Sequence, residues 1–458
     1  MYRKRIQHVH FVGIGGIGMS GIAEVLINLG YEVSGSDLKE SNNTQHLREL
    51  GAQVYIGHDE GNLAQTDVVV ISSAVRGDNP EVGAARRRKI PVIRRAEMLA
   101  ELMRLKYGIA MAGTHGKTTT TSLVAGILEH AGIDPTVVIG GRLNATGRNA
   151  QLGQGEFLVA EADESDGSFL KLSPTIAVVT NIDPEHLDFF GDMDNVRNAY
   201  LNFLNKVPFY GLNIICLDHE EVQAMIPKLE KRYVTYGLST QADLQANAIE
   251  YGAGETSFEL IAYGNSLGRF SFHMLGQHNV LNCLAACAVA FELEVEPEVV
   301  REALKKFAGV QRRFQFWHRS DELMVVDDYA HHPTEIKASL AGARSAFRNK
   351  RVIGIFQPHR YSRVRDLYQE FVTSFYQADT LFVMDVYAAG EQPIEGVNSE
   401  SLAQTIIEHG HHDVRYFSDR DEMMTQLRDT LTDNDLVITL GAGDVWTVAK
   451  ELADERKS

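Results

Sequence analysis

The stretch Met111-Ala-Gly-Thr-His-Gly-Lys-Thr-Thr-Thr120 decides the fold in the middle of this chain. The short apolar run Tyr107–Met111 predicts a strand before the turn. The apolar-rich segment Ser122–Leu128 predicts a helix after it that ends near Gly132. A glycine turn between a strand and a helix lets backbone N–H groups and the helix N-terminus converge on phosphate oxygens. The sequence therefore predicts an α/β domain with a phosphate-binding turn.

The turn itself has the pattern of a shortened P-loop. The full pattern has a glycine five residues before Gly116, where this chain carries Met111. The Lys117 ammonium can reach the outer phosphates of a nucleoside triphosphate, and the Thr118 hydroxyl can hold Mg²⁺. The alternative is a structural glycine turn with a chance Lys-Thr pair. We expect the triphosphate to contact Gly113, Thr114, His115, Gly116, Lys117, Thr118 and Thr119.

The size and charge of the chain limit its function class. At 458 residues it is too long for one ordinary core, which predicts two to four domains. Its 44 Lys and Arg against 61 Asp and Glu give a formal net charge of −17. This balance argues against a general electrostatic affinity for nucleic acid or anionic membranes. We expect neither as a partner, and anionic ligands must be held by local clusters.

The cysteines and the N-terminus indicate the compartment. Cys216, Cys283 and Cys287 are too few for a disulfide framework and are expected to be buried and reduced. The basic residues 3–5 lead into a strand and not into a signal-peptide core. No apolar stretch approaches the roughly 18 residues needed to span a membrane. We therefore expect a cytoplasmic location.

Three blocks of alternating strand and helix patterns divide the chain. We place an N-terminal Rossmann-like domain at residues 1–105, a central P-loop ATPase-like domain at 106–309 and a C-terminal Rossmann-like domain at 310–458. Alternating elements with short connections predict parallel sheets covered by helices, so the fold class is α/β with three domains. Inside the central domain, the polar–apolar alternation and turn glycines of Ala242–Met274 predict a small antiparallel excursion.

Short apolar runs locate the other elements. Strands are predicted at His8–Val12, Glu32–Ser36, Val68–Ser72, Phe157–Ala160, Ile176–Thr180, Met324–Asp327, Arg351–Phe356, Thr380–Val386 and Leu436–Leu440. Helices are predicted at Ser20–Leu29 and Leu281–Leu293, and Gly441-Ala-Gly443 is expected to open the last helix. The basic run at 86–89 and the pair His411-His412 are interpreted as ordinary surface.

A second glycine turn, Gly13-Ile-Gly-Gly-Ile-Gly18, lies between the first strand and the first helix. Asp37 ends the next strand about 19 residues later, which completes the pattern of a dinucleotide-binding fingerprint. Taken alone, this pattern predicts a nicotinamide-dependent oxidoreductase. Such a loop holds any pyrophosphate, however, including that of a UDP-sugar, and a structural turn without ligand is a third interpretation. The loop by itself does not decide between them.

Two acidic clusters follow neighbouring predicted strands of the central block. They are Glu161-Ala-Asp-Glu-Ser-Asp166 and Asn181-Ile-Asp-Pro-Glu-His-Leu-Asp188. In open α/β sheets, ligands bind beyond the carboxyl ends of the strands, where both clusters would lie. Their oxygens suit Mg²⁺ beside a nucleotide, whereas a solvated loop is the alternative for each. His186 would be an unusual magnesium ligand.

Several motifs in order resemble the Mur ligases, three-domain enzymes that build the peptide stem of bacterial peptidoglycan. The motifs are Gly113-Thr-His-Gly-Lys-Thr-Thr119, Glu161-Ala-Asp-Glu164, Asn181-Ile-Asp-Pro-Glu-His-Leu-Asp188 and Gly276-Gln-His-Asn-Val-Leu-Asn282. Others are similar to the branch that adds L-alanine to UDP-N-acetylmuramate: Val12–Ser20, Glu161–Phe169, Arg312–Phe314, Asp327–Thr334 and Phe356–Arg363. The resemblance covers essentially the whole chain. It implies an ATP-dependent ligase that forms an amide through an acyl phosphate.

The resemblance also implies roles at the ATP site. Lys117 would stabilise the transferring γ-phosphoryl group, with Thr118 and Glu161 on one Mg²⁺ and His186 on a second. Related ligases carry a carbamylated lysine about 15 residues after the matching histidine. Residues 189–204 contain no lysine, so His186 and its neighbours must serve the second metal without it.

The remaining implied roles lie in the first and third blocks. The UDP pyrophosphate site would comprise Gly13, Gly15, Gly16, Ile17, Gly18, Asp37 and Ser72. Asn279 and Asn282 would bind adenine, Arg313 would approach the phosphates, and Asp328 would bind the ribose. The amino acid and the reacting carboxylate would meet Tyr329, His331, His359, Arg360 and Arg363. Arg360 and Arg363 are expected to share a helical face and fork the alanine carboxylate, with His331 or His359 as the base.

Rival interpretations stay open at this point. A recycling ligase would attach a whole tripeptide to the same UDP-sugar, and folate-polyglutamate ligases share the central motifs. From other classes, a nicotinamide-dependent oxidoreductase and a nonenzymatic nucleotide-binding regulator are the alternatives. We expect small-molecule partners, namely UDP-N-acetylmuramate, L-alanine and ATP, and a monomer or weak homodimer.

Overall fold

The computed structural model describes residues 6–72, 74–75, 77–139, 150–252 and 254–456. The chain packs as two compact units. The first comprises residues 1–248, 259–270 and 281–308, and the second comprises residues 249–258, 271–280 and 309–458. Across the described ranges, no helix has both the length and the apolar character needed to cross a membrane.

The first sheet has five strands, β1 His8–Val12, β2 Glu32–Asp37, β3 Gln53–Ile56, β4 Val68–Ile71 and β5 Val92–Arg94. Its helices are α1 Ile17–Asn28, α2 Asn42–Glu49, α3 Pro80–Arg87 and α4 Arg95–Met103. All pairings are parallel, in the order β3-β2-β1-β4-β5. The order reverses at β1, and such a switch point opens a crevice beyond the carboxyl end of the strand.

Apolar side chains cover both faces of this sheet. Phe11 packs into one core cluster and the next residue, Val12, packs into another, as expected for side chains that alternate along a strand. A strand that is buried on both faces is apolar throughout, which is why the run at β1 was visible in the sequence.

The second sheet is larger and carries the P-loop. Its strands are β6 Tyr107–Ala112, β7 Thr136–Val138, β8 Ala150–Gln151, β9 Phe157–Glu161, β10 Ile176–Val179, β11 Leu212–Cys216, β12 Tyr233–Gly237, β13 Leu244–Tyr251, β14 Thr256–Ala262 and β15 Asn265–Phe272. Their order is β15-β14-β13-β12-β11-β10-β6-β9-β7-β8. The helices are α5 Lys117–His130, α6 Leu187–Phe190, α7 Met193–Leu204, α8 Glu220–Gln223, α9 Gln277–Glu292 and α10 Pro297–Lys306.

Strands β6, β9, β10, β11 and β12 run parallel, so their carboxyl ends meet at one edge. Strand β13 still pairs in parallel with β12. The links from β13 to β14 and from β14 to β15 are short, as in antiparallel hairpins. These three strands form the small antiparallel excursion predicted for Ala242–Met274. Short 3₁₀ turns occur at Glu60–Asn62, Ser168–Lys171 and Ile226–Lys228.

The third sheet has six strands, β16 Gln315–Arg319, β17 Leu323–Asp328, β18 Arg351–Phe356, β19 Thr380–Met384, β20 Val414–Phe417 and β21 Asp435–Leu440. Its helices are α11 Pro333–Ala346, α12 Tyr361–Asp366, α13 Tyr368–Val372, α14 Ser399–Glu408, α15 Arg420–Thr430 and α16 Trp446–Glu455. The order is β16-β17-β21-β18-β19-β20, and only the β16–β17 pairing among those described is antiparallel. Trp317 of β16 stacks on Trp446 of α16, with ring centroids 6.1 Å apart.

The three-domain α/β class is confirmed, while the exact domain limits stay a prediction. The three cysteines are free and buried, as expected. Helix α1 begins three residues earlier than predicted, because it starts directly after Gly16. Two expectations were wrong. The last helix begins at Trp446 and not at Gly441–Gly443, and His411 is buried, with only 6% of its surface exposed.

Candidate functional site

The first glycine turn connects β1 to α1 and is held by the side chain of Asp37. Gly13 has a φ of +84°, in the left-handed region. Asp37 Oδ2 accepts a hydrogen bond from Gly15 N at 2.8 Å, and Oδ1 accepts one from Leu38 N at 2.8 Å. A Cβ on Gly15 would lie 2.9 Å from Asp37 Oδ2, so glycine permits this approach. Asp37, which was predicted in the UDP pyrophosphate site, therefore fixes the shape of the loop.

A cavity of about 720 Å³ lies beside this turn. Of the predicted residues, Gly13, Gly15, Gly16, Asp37 and Ser72 line it, whereas Ile17 and Gly18 lie in the first turn of α1. No motif marked the other lining residues, which are Leu38, Lys39, Ser41, His58, Ala74, Val75, Asp78 and Asn79. Their one available signal was their position soon after β2, β3 and β4, where ligands of such sheets bind.

The second glycine turn, between β6 and α5, needs its glycines for close approach. Gly113 has a φ of +133°, and a Cβ there would lie 2.0 Å from Thr180 Oγ1. Gly116 has a φ of +84°, and a Cβ there would lie 2.4 Å from Asn282 Oδ1. The loop therefore packs tightly against the residues that follow β10 and against the helix α9 residue Asn282.

Residues after β10 fasten this turn by several hydrogen bonds. His115 N donates to Asn181 Oδ1 at 2.8 Å, and His115 O accepts from Asn181 Nδ2 at 3.0 Å and from Thr180 Oγ1 at 2.6 Å. Asp183 N donates to Thr114 Oγ1 at 2.8 Å. The second acidic cluster therefore shapes the P-loop before any ligand role is considered.

Lys117 is the first residue of α5, and its ammonium is turned towards the loop and an acidic partner. Nζ donates to Gly113 O at 2.5 Å and to Thr114 O at 3.1 Å, and it lies 2.8 Å from Glu164 Oε2. Burial disfavours the ammonium, but the attraction of Glu164, Asp163 and Glu161 outweighs it and raises the pKa of Lys117. This lysine is therefore a permanent positive charge at the turn.

Three side chains beyond β9 and β10 form a group that could hold a metal ion. Ligand atoms of Glu164, Glu185 and His186 all lie within 4.8 Å of one another. His186, with a φ of +57°, directs Nε2 to 3.8 Å from Glu164 Oε1 and 3.9 Å from Glu185 Oε2. Two carboxylates and an imidazole are donors that a divalent cation accepts.

Only His186 of this group had been selected from the sequence. Glu164 and Glu185 stood in the two acidic clusters, but nothing in their spacing distinguished them from their acidic neighbours. The other predicted ligands, Thr118 and Glu161, lie in the first turn of α5 and at the end of β9.

An aspartate between two histidines lies next to the P-loop and was not foreseen. Asp183 Oδ2 is 3.2 Å from His115 Nε2, and Oδ1 is 3.4 Å from His219 Nε2. Burial alone would raise the pKa of Asp183, but its contacts with His115 and His219 outweigh this and hold the pKa well below its usual range. No sequence motif marked His219, which follows β11.

The two asparagines predicted at the adenine end lie in different units. Asn282 Oδ1 accepts a hydrogen bond from Thr120 Oγ1 at 3.2 Å in the first unit, next to Gly116. In the second unit, Asn279 Nδ2 donates to Leu275 O at 2.7 Å. Both are buried.

In the second unit, Asp328 ends β17 and fixes the chain around it. Its Oδ2 accepts from Ser339 Oγ at 2.6 Å and from Phe314 N at 3.2 Å, and its Oδ1 accepts from Ala330 N at 2.9 Å. Burial raises the pKa of Asp328 to about 6 despite the nearby Arg313. These contacts give Asp328 a structural task, and its contact with a ribose stays a prediction.

Arg312 organises the loop where the last helix had been expected to begin. Its guanidinium donates to Gly441 O at 2.6 Å, to Gly443 O at 3.0 Å and to Asp327 Oδ2 at 3.0 Å. It also lies over the Tyr329 ring, 4.9 Å from the centroid. The carbonyls of this glycine segment are thus oriented towards an arginine, which explains why α16 starts later.

Tyr329, His331 and Arg313 form one cluster with a residue that was not predicted, Glu335. Glu335 Oε2 lies 3.3 Å from His331 Nδ1, and Oε1 lies 3.7 Å from Arg313 Nη1. His331 Nδ1 is also 3.0 Å from Tyr329 O. Because both oxygens can only accept, Nδ1 carries the proton, and the lone pair of the neutral ring is on Nε2.

The predicted alanine-binding group follows β18. The His359 ring stacks on Tyr387 with centroids 5.6 Å apart, and Arg363 Nη1 lies 3.3 Å from His359 Nδ1. An arginine can only donate, so His359 Nδ1 is an acceptor and the proton of the neutral ring is on Nε2. Burial, His331 and the two arginines lower the pKa of His359 to about 3, so the ring is neutral at physiological pH.

Arg360 and Arg363 were expected to share one helical face, and this expectation was wrong. Arg363 is in the helix α12, but Arg360 precedes it with a φ of +70° and a ψ of +131°. Its carbonyl still accepts from Val364 N at 3.3 Å, which starts the helix. A joint contact of the two guanidinium groups with one carboxylate stays a prediction.

Comparisons with known proteins follow the same three blocks. Residues 8–107 match the model described as Mur ligase family, catalytic domain. Residues 111–290 match the Mur ligase middle domain, and residues 312–443 match the Mur ligase glutamate ligase domain.

Full-length relatives are similar throughout. The chain is 61% identical over 454 residues to the UDP-N-acetylmuramate–L-alanine ligase of Syntrophotalea carbinolica, covering 99% of both chains. It is 58% identical to the enzyme of the same name from Geobacter sulfurreducens, covering 97% of this chain and 96% of the relative. The solved UDP-N-acetylmuramate-alanine ligase of Thermotoga maritima superimposes with a TM-score of 0.83 at 29% identity, covering 98% and 99% of the two chains. A murein peptide ligase from Psychrobacter arcticus shares the fold, with a TM-score of 0.69 at 23% identity and 98% of each chain covered.

Proposed function

This chain belongs to the Mur ligase family, and on that basis we propose that it joins L-alanine to the lactyl carboxylate of UDP-N-acetylmuramate with ATP as the energy source. The observation that carries the proposal is the 61% identity across 99% of both chains to an enzyme of that name. The tripeptide-attaching alternative is not favoured, and no relative supports a nicotinamide-dependent oxidoreductase among the matches described.

The chemistry needs an activated carboxylate, because amide formation in water is uphill. Transfer of the ATP γ-phosphoryl group to the lactyl carboxylate gives an acyl phosphate. The alanine amine then attacks the acyl carbon, and the tetrahedral intermediate expels phosphate. Since both first reactants are anionic, the protein contributes mainly by neutralising and aligning charge.

We assign the phosphate sites to the two glycine turns. Residues 1–105 would hold the UDP pyrophosphate in the cavity beside Gly13–Gly18, and Asp37 supports this by keeping the loop in shape. Residues 106–309 would hold ATP, with the permanently charged Lys117 at the γ-phosphoryl group. Residues 310–458 would supply the amino-acid site together with Arg313 and Asp328 for the nucleotide.

The donor set beside the P-loop fits a divalent cation. Thr118, Glu161 and His186 would bind Mg²⁺, and the grouping of Glu164 and Glu185 with His186 supports adding both glutamates. When bound, the ion would neutralise phosphate charge and fix the orientation of the transferred group. In the structure, Glu164 pairs with the Lys117 ammonium. The same carboxylate also belongs to the group with Glu185 and His186.

For the proton of the alanine ammonium, the tautomers favour His331 over His359. His331 has its proton on Nδ1 and a lone pair on Nε2, and Glu335 stabilises the imidazolium that would form. The pKa of His359 is lowered to about 3, so this ring is a poor base. Its proton is on Nε2, which can donate a hydrogen bond.

We expect His331→Gln to remove the acidic limb of the pH profile of kcat/KM and His359→Gln to retain it at a lower rate. The profile is measured by phosphate release between about pH 5 and pH 9. Identical profiles for the two variants would contradict the assignment of the base.

Phosphate release with UDP-N-acetylmuramate, ATP and Mg²⁺ tests the function itself. We expect turnover that depends on L-alanine, and a control with the tripeptide in its place should show little. Turnover with the tripeptide alone would overturn the choice of amino acid. Hydride transfer from a nicotinamide cofactor without phosphate release would overturn the ligase assignment.

A further inference from the structure

A buried polar chain connects the first cavity to the interior of the first sheet. It consists of His58, after β3, Ser36 of β2 and Glu81 of α3. His58 lines the cavity with 16% of its side chain exposed, whereas Ser36 and Glu81 are fully buried. A fully buried glutamate behind a ligand cavity is a costly arrangement unless its hydrogen bonds have a purpose.

The hydrogen bonds of this chain have a fixed direction. Ser36 Oγ lies 2.5 Å from Glu81 Oε2 and 2.8 Å from His58 Nδ1. A carboxylate can only accept, so the single hydroxyl proton of Ser36 points to Glu81. The remaining contact then requires His58 Nδ1 to be the donor.

Other neighbours of Glu81 stabilise its ionised carboxylate. Oε1 accepts from Asn62 Nδ2 at 2.6 Å and from Asp59 N at 3.4 Å, and His10 Nε2 lies 3.6 Å from Oε2. Burial would raise the pKa of Glu81, but the nearby His10 and the hydrogen bonds of Ser36 and Asn62 outweigh it and lower the pKa. Glu81 is therefore an acceptor on both oxygens.

With the proton fixed on Nδ1, Nε2 is the ring atom left to accept a hydrogen bond, and His58 is one of the residues that line the cavity. Uracil carries an N3–H donor between its carbonyl groups, whereas cytosine carries an N3 acceptor at that place. We propose that His58 selects uracil by accepting its N3–H, and that Ser36 and Glu81 are positioning residues that set the tautomer. This inference rests on the proposed UDP-sugar site and goes beyond it by naming the base-selecting group.

Titration of the full chain with UDP and with CDP, each without ATP or amino acid, tests the inference independently of ligase chemistry. We expect the wild-type chain to bind UDP at least about tenfold more tightly than CDP, because CDP would leave two acceptors facing each other. Both diphosphates have the same pyrophosphate, so their ratio reports the base alone.

Glu81→Gln should reverse the direction of the hydrogen bonds from His58 through Ser36 to residue 81. The Gln amide nitrogen can donate to Ser36 Oγ, which frees the hydroxyl proton for His58 Nδ1 and moves the ring proton to Nε2. The UDP-to-CDP preference should then fall at least about tenfold. Glu60→Gln, an exposed neighbour that pairs with Arg87, is the matched control and should leave the preference unchanged.

Ser36→Ala and His58→Gln keep the test decisive if Glu81→Gln does not fold, and both should lower the preference. Thermal unfolding of each variant checks that the fold is intact. Equal weakening of UDP and CDP, or an unchanged ratio in all three variants, would overturn base selection by His58. Failure of the wild-type chain to bind UDP, together with no alanine-dependent phosphate release, would instead overturn the proposed function.

Discussion

The two glycine turns share a strand–turn–helix plan, but their helices begin with different residues and their acidic partners act on different groups. Helix α1 begins with Ile17, and Asp37 binds a backbone N–H of the turn. Helix α5 begins with Lys117, and Glu164 binds the lysine ammonium. The first turn offers backbone groups held in place by Asp37, and the second adds the charged side chain of Lys117. Under the proposed function, the same unit would hold a pyrophosphate at the first turn and serve phosphoryl transfer at the second.

Removal of the lysine should separate the two turns most clearly. We expect Lys117→Met to lower kcat at least about 10³-fold, because a preorganised charge at the transferred group is lost. UDP affinity at the first turn should stay within about twofold. Phosphate release and UDP titration measure the two effects, and Lys171→Met, an exposed lysine of the same unit that pairs with Glu97, is the control.

Alanine at the first glycine of each turn compares their packing. Gly113→Ala should destabilise the chain by about 3 kcal/mol, because its Cβ would meet Thr180 Oγ1 at 2.0 Å with a φ of +133°. Gly13→Ala, whose Cβ would lie 3.3 Å from Ser72 Cβ, should cost about 1 kcal/mol. Urea unfolding of both variants checks the difference, and equal losses would show that the turns are packed alike.

Asp183, which lies next to the P-loop, should make the stability of this turn depend on pH. With a depressed pKa, Asp183 stabilises the fold above its unfolded pKa near 4, and this stabilisation is lost as pH falls towards the folded value. Asp183→Asn should therefore lower stability by about 1–2 kcal/mol at pH 7. The difference in the free energy of unfolding between Asp183→Asn and the wild type should become smaller below about pH 4. Urea unfolding across pH measures this, and a constant difference would contradict it.

The smallest effect is expected at the acid of the first turn. Asp37→Ala removes the acceptor of Gly15 N, so the loop loses its shape while the reacting groups are untouched. The KM for UDP-N-acetylmuramate should rise about fivefold to tenfold with little change in kcat, which corresponds to the loss of one or two hydrogen bonds. A fall in kcat with an unchanged KM would place Asp37 in the chemistry instead.

Most strands and both glycine turns could be predicted from local patterns in the sequence. Strands such as His8–Val12 and Arg351–Phe356 were predicted at their observed bounds, because strands covered on both faces are continuous apolar runs. The glycine turns were equally visible, since close approach of a backbone requires glycine at fixed spacing.

The polar networks were not visible because their members are far apart in the chain. Glu81 lies 45 residues from Ser36, and nothing in the sequence of either residue reports the contact. His219 is brought to Asp183 only by the order of β10 and β11 in the sheet. His411 was expected on the surface, because a polar residue type says little about the depth at which the chain places it.

The stacked pair of Trp317 and Trp446 has a practical consequence. These are the only two tryptophans of the chain, and both belong to the second unit. Intrinsic tryptophan fluorescence therefore observes that unit alone, without any label. Unfolding followed by emission and by circular dichroism would coincide if the chain melts as a single cooperative body, and the two curves would separate if the units melt one after the other.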